Sequence, residues 1–353
     1  MDKKCMHFTL LTLIVLITAC SQSVEPDLVT LGRQNSLLYD RYNEDARNVI
    51  VKMNINETVE HQWLEQQDAT YPSRSPDGAQ VAYFVYEGTE VFSLWVADNL
   101  GKNARKIGGP YPFYAGNMAA EWSFDARYLA FRVSPDPHQA LIYVVDADIG
   151  EEMEIVTGWD SAWSRQNNQL VVYTGSVLQV LDIETQVNHH LLDVYIPNPT
   201  NSLDWLLDQQ TVLFLSDVRR WITGIYAVDV ESHEVRLILP DDPDLSYRSL
   251  CCLKVSPNGE YVAFVVNSQS LSETASIATL MILNINNTEI FPVGYSISGP
   301  IAWSPDSNYI VFGSLKDEVG NPIGSWDLFL FSLNKRSVTR LTHDGAAPTG
   351  LTW

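Results

Sequence analysis

The chain has 353 residues, enough for two ordinary domains or one large all-β domain, and its 46% hydrophobic content can build a real core. A net charge of −21, from 22 Lys and Arg against 43 Asp and Glu, excludes nucleic acid as a natural partner, because phosphate binding needs clustered cations. The same balance argues against docking on an anionic membrane through protein charge.

Residues 1–19 read as a secretory signal. Lys3 and Lys4 precede an apolar run, Phe8 to Ile17, that is too short to remain in a bilayer as a spanning helix. Ile17-Thr18-Ala19-Cys20 resembles the lipobox of bacterial lipoproteins, an aliphatic residue and two small ones before a cysteine. The resemblance implies cleavage ahead of Cys20, acylation of its thiol and a short linker over 20–30. It also implies a site in the cell envelope, anchored to a membrane through Cys20 and facing away from the cytoplasm. The alternative is an ordinary signal peptide that happens to end on a cysteine. Cys5 leaves with the signal, so only the adjacent Cys251 and Cys252 remain in the body of the chain. A disulfide between neighbours needs unfavourable geometry, so the expectation is two reduced thiols, one on each side of a strand.

Residues 31–64 carry short alternating segments, and from residue 71 onward the chain repeats itself. Units begin at YPSRSPDGAQVAYFV (71–85), AEWSFDARYLAF (120–131), SAWSRQNNQLVVY (161–173), LDWLLDQQTVLFL (203–215), LKVSPNGEYVAFV (253–265) and IAWSPDSNYIVFGS (301–314). The residue ahead of the turn is Arg74, Trp122, Trp163, Trp205, Val255 and Trp303, at spacings of 48, 41, 42, 50 and 48. That is the blade period of a β-propeller. Each unit reads as four strands: one ending in Trp-Ser, a tight turn, a β-branched and aromatic run, a third apolar strand often ending in Asp or Asn, and a more exposed fourth.

Trp353 continues this column as a seventh member with nothing behind it. Segment 31–41 resembles the stretch after Trp163, and 49–64 resembles the third and fourth strands of the last unit. The N-terminus is therefore expected to supply strands two to four of a blade whose innermost strand is Gly350 to Trp353. Pairing the two ends in one sheet closes the ring and removes an open seam. The prediction is an all-β, seven-bladed β-propeller over 31–353. A six-bladed ring with a separate small β segment is the alternative.

The Ser-Pro-Asp-Gly and Trp-Ser-Pro-Asp turns, with Arg340-Leu341-Thr342-His343-Asp344-Gly345, resemble the WD40-like (PD40) repeat of the TolB propeller family. Similar repeats form the propeller halves of tricorn protease and of prolyl-oligopeptidase-type peptidases. The resemblance covers nearly the whole chain after the linker. It departs from the pattern at Arg165-Gln166-Asn167 and at Leu206-Leu207-Asp208. TolB's additional α/β domain and the peptidases' hydrolase domain have no counterpart among these residues, and no G-x-S-x-G nucleophile turn occurs.

No cofactor fingerprint or metal-ligand spacing is present. His7 falls in the signal. His61, His138, His189, His190 and His233 fall on fourth strands, turns or a loop away from the axis; only His343 lies near an expected binding face. Turn aspartates such as Asp77, Asp98, Asp125, Asp146, Asp182, Asp229 and Asp306 are expected to accept backbone hydrogen bonds. The recurrent Trp is expected as a wedge between blades, and a carbohydrate platform built from it would need exposed rings.

Loops from fourth to first strands cluster on one face and are rich in aromatic residues and proline. Tyr111, Phe113, Tyr114, Tyr195, Tyr247, Arg248 and His343 are the expected partner contacts there. The functional expectation is a monomeric, non-enzymatic binding or scaffold module for an envelope protein, polysaccharide or peptide. The alternative is a carbohydrate-active lyase or hydrolase working in the central channel, with Glu121, Asp160 and Asp204 as its candidate groups.

Overall fold

The computed structural model describes residues 35–353 except 89–90, 113–118, 137, 198, 200, 209, 217–223, 240–247, 270–275, 296, 317–321 and 346–347. The expected signal segment, Cys20 and the expected linker lie outside the described residues. So do Phe113, Tyr114 and Tyr247, and Arg248 is described as backbone alone.

The repeated β-branched runs do what their period of two dictates. Every described sheet has four antiparallel strands, there are seven such sheets, and no helix occurs among the described residues. Blade 1 covers 69–112, blade 2 121–157, blade 3 160–193, blade 4 203–237, blade 5 248–295 and blade 6 297–340. Blade 7 is composite, in the order Leu351–Thr352, Ser36–Tyr42, Asn48–Asn54, Val59–Gln62. Leu38 pairs with Thr352 and Tyr39 with Leu351, so head and tail share one sheet. The ring has seven blades, not six.

Second strands are buried on both faces, as at Thr211–Ser216, while fourth strands such as Val187–Asp193 are largely exposed. The apolar core is correspondingly not central. It forms seven clusters, each drawn from two neighbouring blades. One joins blade 6 to blade 7 through Val311, Leu328, Leu37, Tyr39 and Trp353. Another joins blade 7 to blade 1 through Leu38, Ile50, Val81 and Tyr83.

The Trp column explains these seams. Trp122, Trp163, Trp205, Trp303 and Trp353 are all buried. Each donates its indole N–H to an inner-strand carbonyl of the preceding blade: Ser73, Glu121, Ala162, Lys254 and Ala302, at 2.9 to 3.1 Å. The column is a set of wedges, and its rings are not on the surface.

The Ser that follows most column positions is equally specific. Ser75, Ser123 and Ser304 donate to Asp77, Asp125 and Asp306 at 2.6 to 2.7 Å. The same hydroxyls accept the backbone N–H of Gln80, Tyr128 and Tyr309 at 2.9 Å, which closes the turn. Aspartates at the third-strand ends cap the next turn, with Asp98 accepting from Leu100 and Lys102, and Asp229 from Glu231 and Ser232.

The two departures from the repeat compensate each other. Gln166 donates to the Leu207 carbonyl. Arg165 occupies the place of Pro and spans blades 4 and 5, donating to Asp204 at 3.0 Å, Val255 O at 2.8 Å and Ser256 O at 3.1 Å. Val255 is itself, with Arg74, one of the two column positions that lack Trp.

Candidate functional site: the axial channel

Because inner strands ring the axis, the side chains they carry line a cavity of about 950 Å³. Its two halves differ chemically. Blades 6, 7 and 1 contribute Pro300, Ile301, Ala302, Thr349, Leu351 and Tyr71, which are neutral or apolar. Blades 2, 3 and 5 contribute Glu121, Arg132, Asp160, Arg165 and Lys254. Two tryptophans outside the wedge column, Trp159 and Trp326, also line the cavity.

Lys254 organises the charged half. Its ammonium meets Glu121 Oε1 at 2.7 Å. Blades 2 and 5 are three places apart in a ring of seven, so this ion pair crosses the channel. About a third of each side chain, 35% and 34%, is open to water. Burial works against the ammonium, but the Glu121, Asp204 and Asp160 carboxylates outweigh it and raise its pKa.

Asp160 stands beside this pair. Its Oδ2 accepts the Ser202 N–H at 2.6 Å and the Ser202 hydroxyl at 2.8 Å. Burial, with the nearby Glu121 charge adding to it, outweighs those bonds and pushes Asp160 up to about 6. Asp204 is committed to structure: besides Arg165, it accepts the Val255 N–H at 2.7 Å and the Trp205 N–H at 2.8 Å. Arg132 donates to the Trp159 carbonyl at 3.0 Å, and burial lowers its pKa against the pull of Asp160.

Of the three acids named for the channel alternative, Glu121 and Asp160 line the cavity, while Asp204 is not among its lining residues and reaches Lys254 only through its charge. Lys254, Arg165 and Arg132 were not among the residues the sequence pointed to for the channel, because single cations on separate blades form no motif. A signal was available for Arg165, which replaces the Pro of the repeat, and for Lys254, the one cation directly ahead of the column.

The connector face looks different from its expectation. Tyr111 is a correction: its ring is buried, 3% exposed, packed on Phe131 and Tyr143 at centroid distances of 5.0 and 5.2 Å. Edge-on aromatic packing in the seam between blades 1 and 2 accounts for this better than a partner contact. Tyr195 is 65% exposed and His343 is exposed, so both remain at the surface. The described histidines His61, His138, His189, His190 and His233 are likewise exposed and away from the cavity. Among the described residues no cluster of His, Cys, Asp and Glu is arranged to hold a metal.

The cysteines also differ from expectation. They do not face opposite sides of a strand. An extra residue between Cys251 and Lys254 shifts the register with the second strand, Cys252 takes a left-handed backbone (φ 63°), and the two Sγ atoms lie 2.9 Å apart.

Solved structures resemble this ring. TolB from Acinetobacter baumannii superposes with a TM-score of 0.57 at 16% identity, over 90% of this chain and 66% of that one. The β-propeller domain of the Trilobed protease from Pyrococcus furiosus gives 0.58 at 18%, over 89% and 95%. An oligogalacturonate lyase in complex with manganese gives 0.62 at 15%, over 85% and 86%. The likeness is one of fold. The chain spans about two thirds of that TolB chain. No protein-family model and no curated protein matches the sequence.

Proposed function

We propose that the protein is a lipid-anchored, extracytoplasmic binding module that takes a segment of an envelope protein or polymer into its axial channel. The observation that carries this reading is the two-sided cavity. It sets Trp159 next to Asp160 on the charged side, whose groups are already paired, and Trp326 on blade 6 on the apolar side. Ligands gain from such a surface by stacking on aromatic rings and exchanging ion-pair partners, with orientation fixed by a few polar groups. The exposed Tyr195 and His343 extend the contact onto the connector face. Phe113, Tyr114, Tyr247 and Arg248 remain candidates there.

Capture from an envelope extract tests the binding reading, comparing the natural chain with Trp159→Ala/Trp326→Ala. An unchanged set of retained proteins and glycans would rule the cavity out. The anchor has its own test. Cys20→Ser should abolish acyl-chain labelling and move the protein from the membrane to the soluble fraction; continued sedimentation with membranes would count against it.

A second reading, a channel lyase or hydrolase acting on carbohydrate, draws on Asp160, whose pKa near 6 suits a group that exchanges protons at neutral pH. A polysaccharide and peptide screen, with and without a chelator, separates the readings. Turnover lost in Asp160→Asn favours the enzyme; no turnover on any substrate leaves the binding module.

A further inference from the structure

We infer that Cys251 and Cys252 form a reversible dithiol–disulfide site on the channel wall. Three observations carry it. The sulfurs already lie 2.9 Å apart, closer than ordinary non-bonded contact. Blade 5 has an extra residue here: Cys251 pairs with Val265 and Lys254 with Ala263, three steps against two. Cys252 lines the cavity two residues before Lys254. Blade 1 has the same three-against-two step between Thr70 and Ser73, with Tyr71 at φ 52°. The kink thus recurs in a blade without cysteines, and what distinguishes blade 5 is that both residues at it are thiols.

The chemistry balances with a disulfide-bearing oxidant such as glutathione disulfide. Cys251 attacks one sulfur of the oxidant, forming a mixed disulfide and releasing one thiol. Cys252 then gives up its proton and attacks the Cys251 sulfur, which releases the second thiol. Two S–H bonds are lost and one S–S bond forms; the oxidant is reduced by two electrons, and the two protons end on the leaving thiols. The roles follow from the surroundings. The contact from Cys252 lowers the Cys251 thiol, and Asn267 Nδ2 supports its sulfur at 3.7 Å. The same contact, and burial with it, raises Cys252.

Such a ring is also labile. Neighbouring Cα atoms are held ~3.8 Å apart, below the usual range for bridged cysteines, and strained disulfides are the easily reduced ones. The site is therefore suited to switching, and a switch here alters the wall beside Lys254.

The test needs no ligand. The full chain is equilibrated across glutathione redox buffers, quenched in acid and alkylated, and its tryptic peptides are weighed. Cleavage after Arg248 and Lys254 isolates both thiols in peptide 249–254, apart from Cys5 and Cys20. The expected result is an unalkylated peptide about 2 Da lighter than the free dithiol, appearing and disappearing with the buffer ratio. It should be absent in Cys251→Ser and in Cys252→Ser. A peptide alkylated twice at every ratio, or carrying only glutathione adducts, would overturn the proposal.

Discussion

A single carboxylate, Asp40, clasps the ring. It is buried on the second strand of blade 7, and its Oδ1 accepts the N–H groups of Thr349 and Gly350 at 2.7 and 2.9 Å. Its Oδ2 takes the Tyr71 N–H at 2.9 Å and the hydroxyls of Thr349 and Thr70. One side chain thus holds the tail of the chain and the inner strand of blade 1 together. Asp40→Ala orphans several buried donors and should cost about 3–5 kcal/mol, against under about 1 kcal/mol for the turn residue Asp77→Ala. Denaturant midpoints would show it, and equal losses would refute the clasp. Asp160 makes the opposite prediction. Its pKa is raised on folding to about 6, so between roughly pH 4 and 6 the folded state binds more protons than the unfolded one. Stability contributed by its proton is present at low pH and lost as pH rises through that window. Asp160→Asn should therefore stabilise by roughly 1–2 kcal/mol at pH 7.5, after allowing for channel water, and by about half as much at pH 5. Gains that do not change with pH would show that burial does not set this group's titration.

At the scale of elements, the turn residues and Trp wedges were legible because both act through local or repeating geometry. A serine that must satisfy a turn, or an indole that must reach the preceding blade, recurs at fixed spacing and can be counted. Asp40, Arg165 and Lys254 act once each and across the ring, so no repeat betrays them. Tyr111 was misread for a related reason: a loop aromatic and a seam aromatic look alike until the neighbouring Phe131 and Tyr143 are in view. The closing strand was read from repeat register alone, yet its fit is tighter than register implies. A Cβ on Gly350 would lie 2.4 Å from Tyr71 Cα, so Gly350→Ala should push the last strand from its neighbour. Deleting 350–353 removes the Trp353 wedge with its hydrogen bond to Ala302 and exposes the edge of Ser36–Tyr42. The truncated chain should lose several kcal/mol and aggregate on warming, because an open strand edge is a template for pairing. Light scattering on heating measures this; a truncated chain that melts like the intact one would mean the ring closes without its last strand.

For the whole molecule, a core made of seven seams has a consequence that a central core does not. Neighbouring blades hold each other, while blades on opposite sides of the axis meet only where a side chain crosses the channel. The Lys254–Glu121 pair is such a crossing, 133 residues apart in sequence. Its value to the ring lies in the difference between losing one partner and losing both. Lys254→Met leaves Glu121 facing Asp160 without a counter-charge, and Glu121→Gln leaves the ammonium with Asp204 and Asp160. Each single change should destabilise by roughly 1–2 kcal/mol, and the double change by less than their sum, with a coupling of roughly 0.5–2 kcal/mol. A channel ligand that engages either charge must break this pair, so binding should be tighter in whichever single variant leaves its partner group unmatched. Urea denaturation of the four chains gives the coupling directly. Strict additivity would mean that water already screens the pair, and that the two sides of the channel do not feel each other.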